Sequence, residues 1–145
     1  MEQQERHTTS DLAELPLGRP DKYSFYCAVA AILGALDHSI EEAPLRRQHV
    51  EGLVLRTNAC LGHPKAEVET IVARSNTEAD WIELEANVFG LNGTVSPLPS
   101  YLSEAILESR QDDGTLHEFT DFINNRLLWM LFLSMRKYRY ESRYV

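Results

Sequence analysis

Apolar residues recur at intervals of three and four over residues 22–36, where Phe25, Val29, Ile32, Leu33 and Leu36 share one face. That spacing predicts a helix, with Asp21 or Ser24 placed to cap its start. The pattern breaks over 37–44, and polar residues at 46–49 lead into three strand-like runs. VEGLVLRT (50–57) and KAEVETIVA (65–73) are short and rich in branched residues, and NACLGHP between them is a loop by composition. DWIELEANVFGL (80–91) alternates clearly: Ile82, Leu84, Ala86 and Val88 fall on one side, Glu83, Glu85 and Asn87 on the other. Period-two alternation of this kind marks a half-buried strand.

The next stretch, GLNGTVSPLPS (90–100), reads as a stiffened strand-to-helix joint. Gly90 and Gly93 permit positive φ or close approach, and Asn92-Gly93 is a turn signal. Pro97 and Pro99, on either side of Leu98, hold the backbone extended. Ser100 is placed as N-cap of a helix over 101–110, whose Leu102, Ile106 and Leu107 share a face, and Asp112-Asp-Gly114 closes it. Thr115-Leu-His-Glu118 then matches a capping box. No glycine or proline follows through Tyr140, which predicts a helix of about 24 residues, roughly 36 Å long. Its centre, LLWMLFL (127–133), is apolar all round and must be enclosed by its own core or by another chain. Leu128, Trp129 and Phe132 are the candidate anchors facing a partner. Asp121, Asn124, Asn125 and Arg126 form a polar cluster beside them; such groups need hydrogen bonds if buried, and are expected to pin loops or an adjacent strand.

These elements define an α+β fold: an N-terminal helix, a small antiparallel sheet of about three strands, then two helices with a long C-terminal one. A chain of 145 residues suits one domain over 21–140, with a polar lead-in at 1–20 and a tail at 141–145. The apolar share of 43% and charged share of 25% are those of an ordinary globular protein. A net charge of −8 argues against a nucleic-acid protein. The basic and aromatic residues from Arg136 to Arg143 fit nucleic-acid stacking less well than cations favoured at a helix C-terminus. Two cysteines give no disulfide framework, which points to a reducing compartment. The first residues lack the basic and apolar regions of a signal peptide, and no run is long enough for a membrane span.

Candidate chemistry is sparse. Cys60 and His63 have the shape of half a zinc site, but Cys27, His38, His49 and His117 show no paired spacing that completes it. The same pair lacks an orienting third residue for nucleophilic catalysis. Glu83 and Glu85 share a strand face, as paired carboxylates might, although the pattern favours a solvated strand face. The glycine-containing joint has neither phosphate-binding spacing nor a lysine. A small metal-dependent or hydrolytic enzyme using Cys60/His63 or Glu83/Glu85 is therefore the alternative to a non-enzymatic protein without a cofactor.

Three segments, in order, resemble a known family. LRTNACLGHPKAEV (55–68) is similar to the strand-loop segment of TssG, the ImpH/VasB-like subunit of the bacterial type VI secretion baseplate. NVFGLNGTVSPLP (87–99) resembles that family's Asn-Phe-x-Gly-Leu-x-Gly…Leu-Pro joint. Residues 116–139 resemble its long helix at Phe119, Asp121, Arg126, Leu127, Lys137, Tyr138 and Arg139, and Tyr23-Ser-Phe-Tyr26 fits its first helix. His63 stands where the family usually has phenylalanine, and Asn125 where it has histidine. Family members are about twice this length, so the chain resembles an N-terminal half. The resemblance implies a cytoplasmic structural subunit of the phage tail-like, contractile injection machine, at the inner-membrane-docked baseplate. Its implied partners are two copies of a TssF-like subunit, TssK-like trimers and a nearby TssE-like subunit, with no nucleic acid and no membrane insertion.

Overall fold

The computed structural model describes residues 19–36, 52–75, 80–93, 96–112 and 114–138. Most of the polar lead-in, the break after residue 36, the start of the first strand run, Asp113 and the tail from 139 lie outside the described residues, as do His38 and His49.

A 3-10 turn at Pro20–Lys22 leads into helix α1, Phe25–Ala35. The helix begins later than its apolar spacing predicts because Ser24 is the cap: its hydroxyl accepts from the Cys27 amide at 3.3 Å. A second first-turn donor, the Phe25 amide, is taken by the Glu67 carboxylate at 2.8 Å. Phe25, Tyr26, Ala28, Val29, Ile32 and Leu33 form the buried face.

The strands are β1 (Leu53–Thr57), β2 (Val68–Ser75) and β3 (Asp80–Ala86), in the order β1-β3-β2. The sheet is mixed, which corrects the expectation of an antiparallel one. β2 and β3 are antiparallel, joined by the short connection over 76–79, but β1 runs parallel to β3. Parallel pairing requires a long crossover, and everything from 58 to 79, including β2, supplies it. The register explains the choice. Leu53, Leu55 and Thr57 of β1 stand beside Ile82, Leu84 and Ala86 of β3, while Ile71 and Val68 pair with Leu84 and Ala86 from the other side. All eight are buried, so one sheet face is continuous core.

Helices α2 (Ser100–Gln111) and α3 (Thr115–Tyr138) follow. Ser100 is the first residue of α2 rather than its cap; Pro99 occupies that position with no side-chain bond. Ser96 does the local work instead, donating to the Leu91 carbonyl at 2.8 Å and accepting from the Leu98 amide at 3.0 Å. Thr115 likewise lies inside α3, whose Leu116 amide is met by the Ser109 hydroxyl at 3.2 Å. Terminal differences of one residue are within what helix boundaries allow.

Leu128, Trp129 and Phe132 belong to the monomer's own core, together with the apolar sheet face and α1. Phe132 stacks on Tyr26 with centroids 5.2 Å apart and meets Trp129 edge-on at 5.9 Å. Trp129 is only 6% exposed, although its indole N–H meets no acceptor among the described residues. The three are therefore not surface anchors, correcting that expectation. In the apolar centre of α3 these three are covered from within, while Met130 remains half exposed. Phe132→Ala should cost about 3–5 kcal/mol of folding stability, against under about 0.5 kcal/mol for the exposed Phe122→Ala. Urea denaturation of the two variants checks this contrast.

Candidate functional site

The buried side of α3 is polar in its first half and apolar in its second. Thr120, Asp121 and Asn124 precede Leu128, Trp129 and Phe132. In the polar half Thr120 bonds back to the Leu116 carbonyl of its own helix and Asp121 meets Arg56 and His117, while Asn124 and its neighbour Asn125 hold backbone groups of other elements. β1 is an edge strand, and its amides alternate, so only every second one can reach β3. The Leu55 amide faces outward and is accepted by Asn125 Oδ1 at 3.1 Å. Beside it, Asn124 is fully buried and holds the joint after β3 at two points. Its Oδ1 accepts from the Leu91 amide at 2.8 Å, and its Nδ2 donates to Asn92 Oδ1 at 2.8 Å. A buried amide left unmade costs about 1–3 kcal/mol, so both pairings are needed.

The joint approaches β1 closely enough to dictate its glycines. A Cβ on Gly90 would lie 2.4 Å from Thr57 Cγ2, and one on Gly93 would lie 2.8 Å from the Asn58 carbonyl oxygen. Gly93 also has φ of +87°, which side chains other than glycine rarely adopt. Pro97 and Pro99 are exposed and Leu98 half-buried, so the prolines act on the backbone and not through packing.

The other sheet face carries a charged cluster. Glu83 is bridged by Arg56 at 2.6 Å and Arg74 at 2.8 Å, and Glu85 accepts from the Thr70 hydroxyl at 3.2 Å. Asp121 lies 3.5 Å from both Arg56 Nη1 and His117 Nε2, with Arg110 on the same small cavity of about 110 Å³. Burial pushes the Asp121 carboxyl above its ordinary range, and His117 and Arg56 partly oppose that shift. Glu83 is thus held by two ion pairs, and Glu85 beside it by a neutral hydroxyl on the same strand face.

Cys60 and His63 are exposed. Cys60 Sγ accepts from the Gly62 amide at 3.2 Å, and the Cys60 amide donates to Asn58 Oδ1 at 3.0 Å, so this loop is shaped by its own turns. Among the described residues no group of three metal-ligating side chains forms. Arg126 stands exposed on α3, apart from the buried stripe that holds Asp121 and Asn124.

One feature escaped the sequence reading. Leu116, Phe119, Phe122 and Met130 are exposed on the side of α3 turned away from Asn124 and Leu128, Phe119 by 61% and Phe122 by 76%. The signal was present as apolar residues three apart, offset from the core stripe. The denser apolar run at 127–133 masks it in the sequence.

Fold and site together define an α+β scaffold in which two adjacent asparagines of the longest helix are committed to backbone groups of the sheet edge and joint. A family model described as type VI secretion, TssG, matches residues 19–145. The chain belongs to that family and is a type VI secretion subunit. Comparison with the curated proteins and with the solved structures gave no match.

The raised Asp121 pKa sets a pH dependence. The folded state holds this proton more tightly than the unfolded chain, so protonation favours folding. The contribution is whole below the ordinary value of 3.8 and is lost as pH rises through the folded pKa. Asp121→Asn removes the titration, so urea denaturation between pH 3.8 and the folded pKa should find the variant gaining on the native protein as pH rises, with the gap constant at higher pH. A gap moving the opposite way would assign the larger share to the pairs with Arg56 and His117.

Proposed function

We propose that this chain is a non-enzymatic structural subunit of the type VI secretion baseplate wedge, with residues 21–140 working as one assembly unit. The family match over residues 19–145 carries the reading. Its partners are a TssF-like subunit in two copies, TssK-like trimers and, nearby, a TssE-like subunit, all on the cytoplasmic side of an inner-membrane-docked baseplate. Among the described residues no helix is long and apolar enough to cross a membrane, which is compatible with that placement.

The chemistry supports the same reading. A hydrolytic centre needs a nucleophile or activated water beside a poised base and a place for the reacting atom. Here the carboxylates of β3 are occupied by Arg56, Arg74 and Thr70. The two asparagines most deeply placed on α3 are occupied by the sheet edge and the joint. Side chains so engaged make a rigid frame, and rigidity is what a subunit held between several neighbours requires.

Co-expression with the TssF-like and TssK-like subunits of the same secretion system tests the proposal. Size-exclusion chromatography with light scattering should show the chain co-eluting with both. Elution of the chain alone at every concentration tried would remove the reading.

A further inference from the structure

We infer that the cleft between α2 and α3 docks an amphipathic helix of a protein partner whose flank carries lysine or arginine. The inference deepens the subunit reading, on which it rests for the partner being another subunit of the machine.

The cleft is an open trough of about 700 Å³ lined by Ala105, Glu108, Asp112, Leu116 and Phe119. Its apolar wall is Leu116 and Phe119 of α3; Phe122, three residues further on, continues their row beyond the cleft, and all three are exposed. On an α-helix that spacing makes one ridge. Three large apolar side chains in a row on an otherwise solvated surface mark an interaction site.

The opposite wall is acidic. Glu108 and Asp112 line it, and Glu104 lies one turn before Glu108 at its rim; all three are exposed, and none pairs with a cation among the described residues. The C-terminal end of α2 adds the negative pole of its macrodipole at the same place. Of the nearby cations, Arg110 lines the charged cavity on the sheet, while Arg126 is exposed on the ridge's own side of α3, one turn beyond Phe122, and makes no ion pair with these three carboxylates among the described residues. An apolar ridge beside an acidic rail calls for an occupant with apolar residues at helical spacing and cations along one flank. A second copy of this chain fits poorly. The chain carries a net charge of −8, and a two-fold contact here would set the rail against itself.

The test uses the whole chain and a labelled synthetic amphipathic helix with an apolar stripe and lysines on its flanks. A twin carries glutamate at every lysine position. Fluorescence anisotropy should find the lysine helix binding at least about tenfold tighter than its twin, with the preference fading as salt is raised. The triple change Glu104→Lys, Glu108→Lys, Asp112→Lys should reverse the preference. Phe119→Ser with Phe122→Ser should abolish binding while leaving the unfolding midpoint in place. Equal binding of the twins, binding that survives the two serines, or self-association of the chain through this cleft would overturn the inference. Co-elution with the TssF- and TssK-like subunits that survives the two serines would remove the cleft and spare the subunit reading. Lysine-helix binding without any co-elution would do the reverse.

Discussion

Two adjacent asparagines on one helix decide how this molecule is put together. An edge strand and an irregular joint both present backbone amides that burial would leave without partners. Asn125 takes the one on Leu55 of β1, and Asn124 takes the one on Leu91 of the joint. Their side chains are fixed on α3 at neighbouring positions, so satisfying both sets the rotation and the height of the helix at once. With that setting Leu128 and Phe132, one and two turns further on, enter the core against α1 and the sheet. The edge of β1, which could otherwise pair with a foreign strand, is closed by the same contact.

The rest of the architecture accommodates this arrangement. The joint must pass close enough to β1 for Asn124 to reach it, which is why Gly90 meets the Thr57 side chain and Gly93 meets the Asn58 carbonyl without a Cβ. Asp121, one turn earlier on α3, extends the helix to the charged sheet face through Arg56 and His117. α3 therefore carries three different surfaces along its length. One is bonded to backbone, one is packed in the core, and one is turned outward beside α2.

Much of the fold could be read from period alone. The alternation of Ile82, Leu84 and Ala86 marked the central strand, and the uninterrupted run after Gly114 marked a helix of the observed 24 residues. The polar cluster at Asp121–Asn125 was legible as structural, because a buried amide needs partners whatever they are. Which partners was not legible, since Leu55 and Leu91 lie 70 and 33 residues from the asparagines that hold them. Strand direction escaped for a similar reason: the closeness of β2 and β3 along the chain bears only on their own pairing, and the parallel placement of β1 depends on tertiary register. Leu128, Trp129 and Phe132 were misplaced because an all-apolar helical segment looks the same whether its own chain or another one covers it. The family resemblance was carried by the loop, joint and helix motifs, and the family match over residues 19–145 agrees with it.

Native-state hydrogen exchange at Leu91 tests the asparagine clamp most directly. This amide lies outside every strand and helix, so its bond to Asn124 is what shields it. It should exchange only with the slow core amides in the native protein, and Asn124→Ala should release it by at least about tenfold beyond any change in global stability. Fast exchange at Leu91 in the native protein, at the rate of an open loop, would contradict the account.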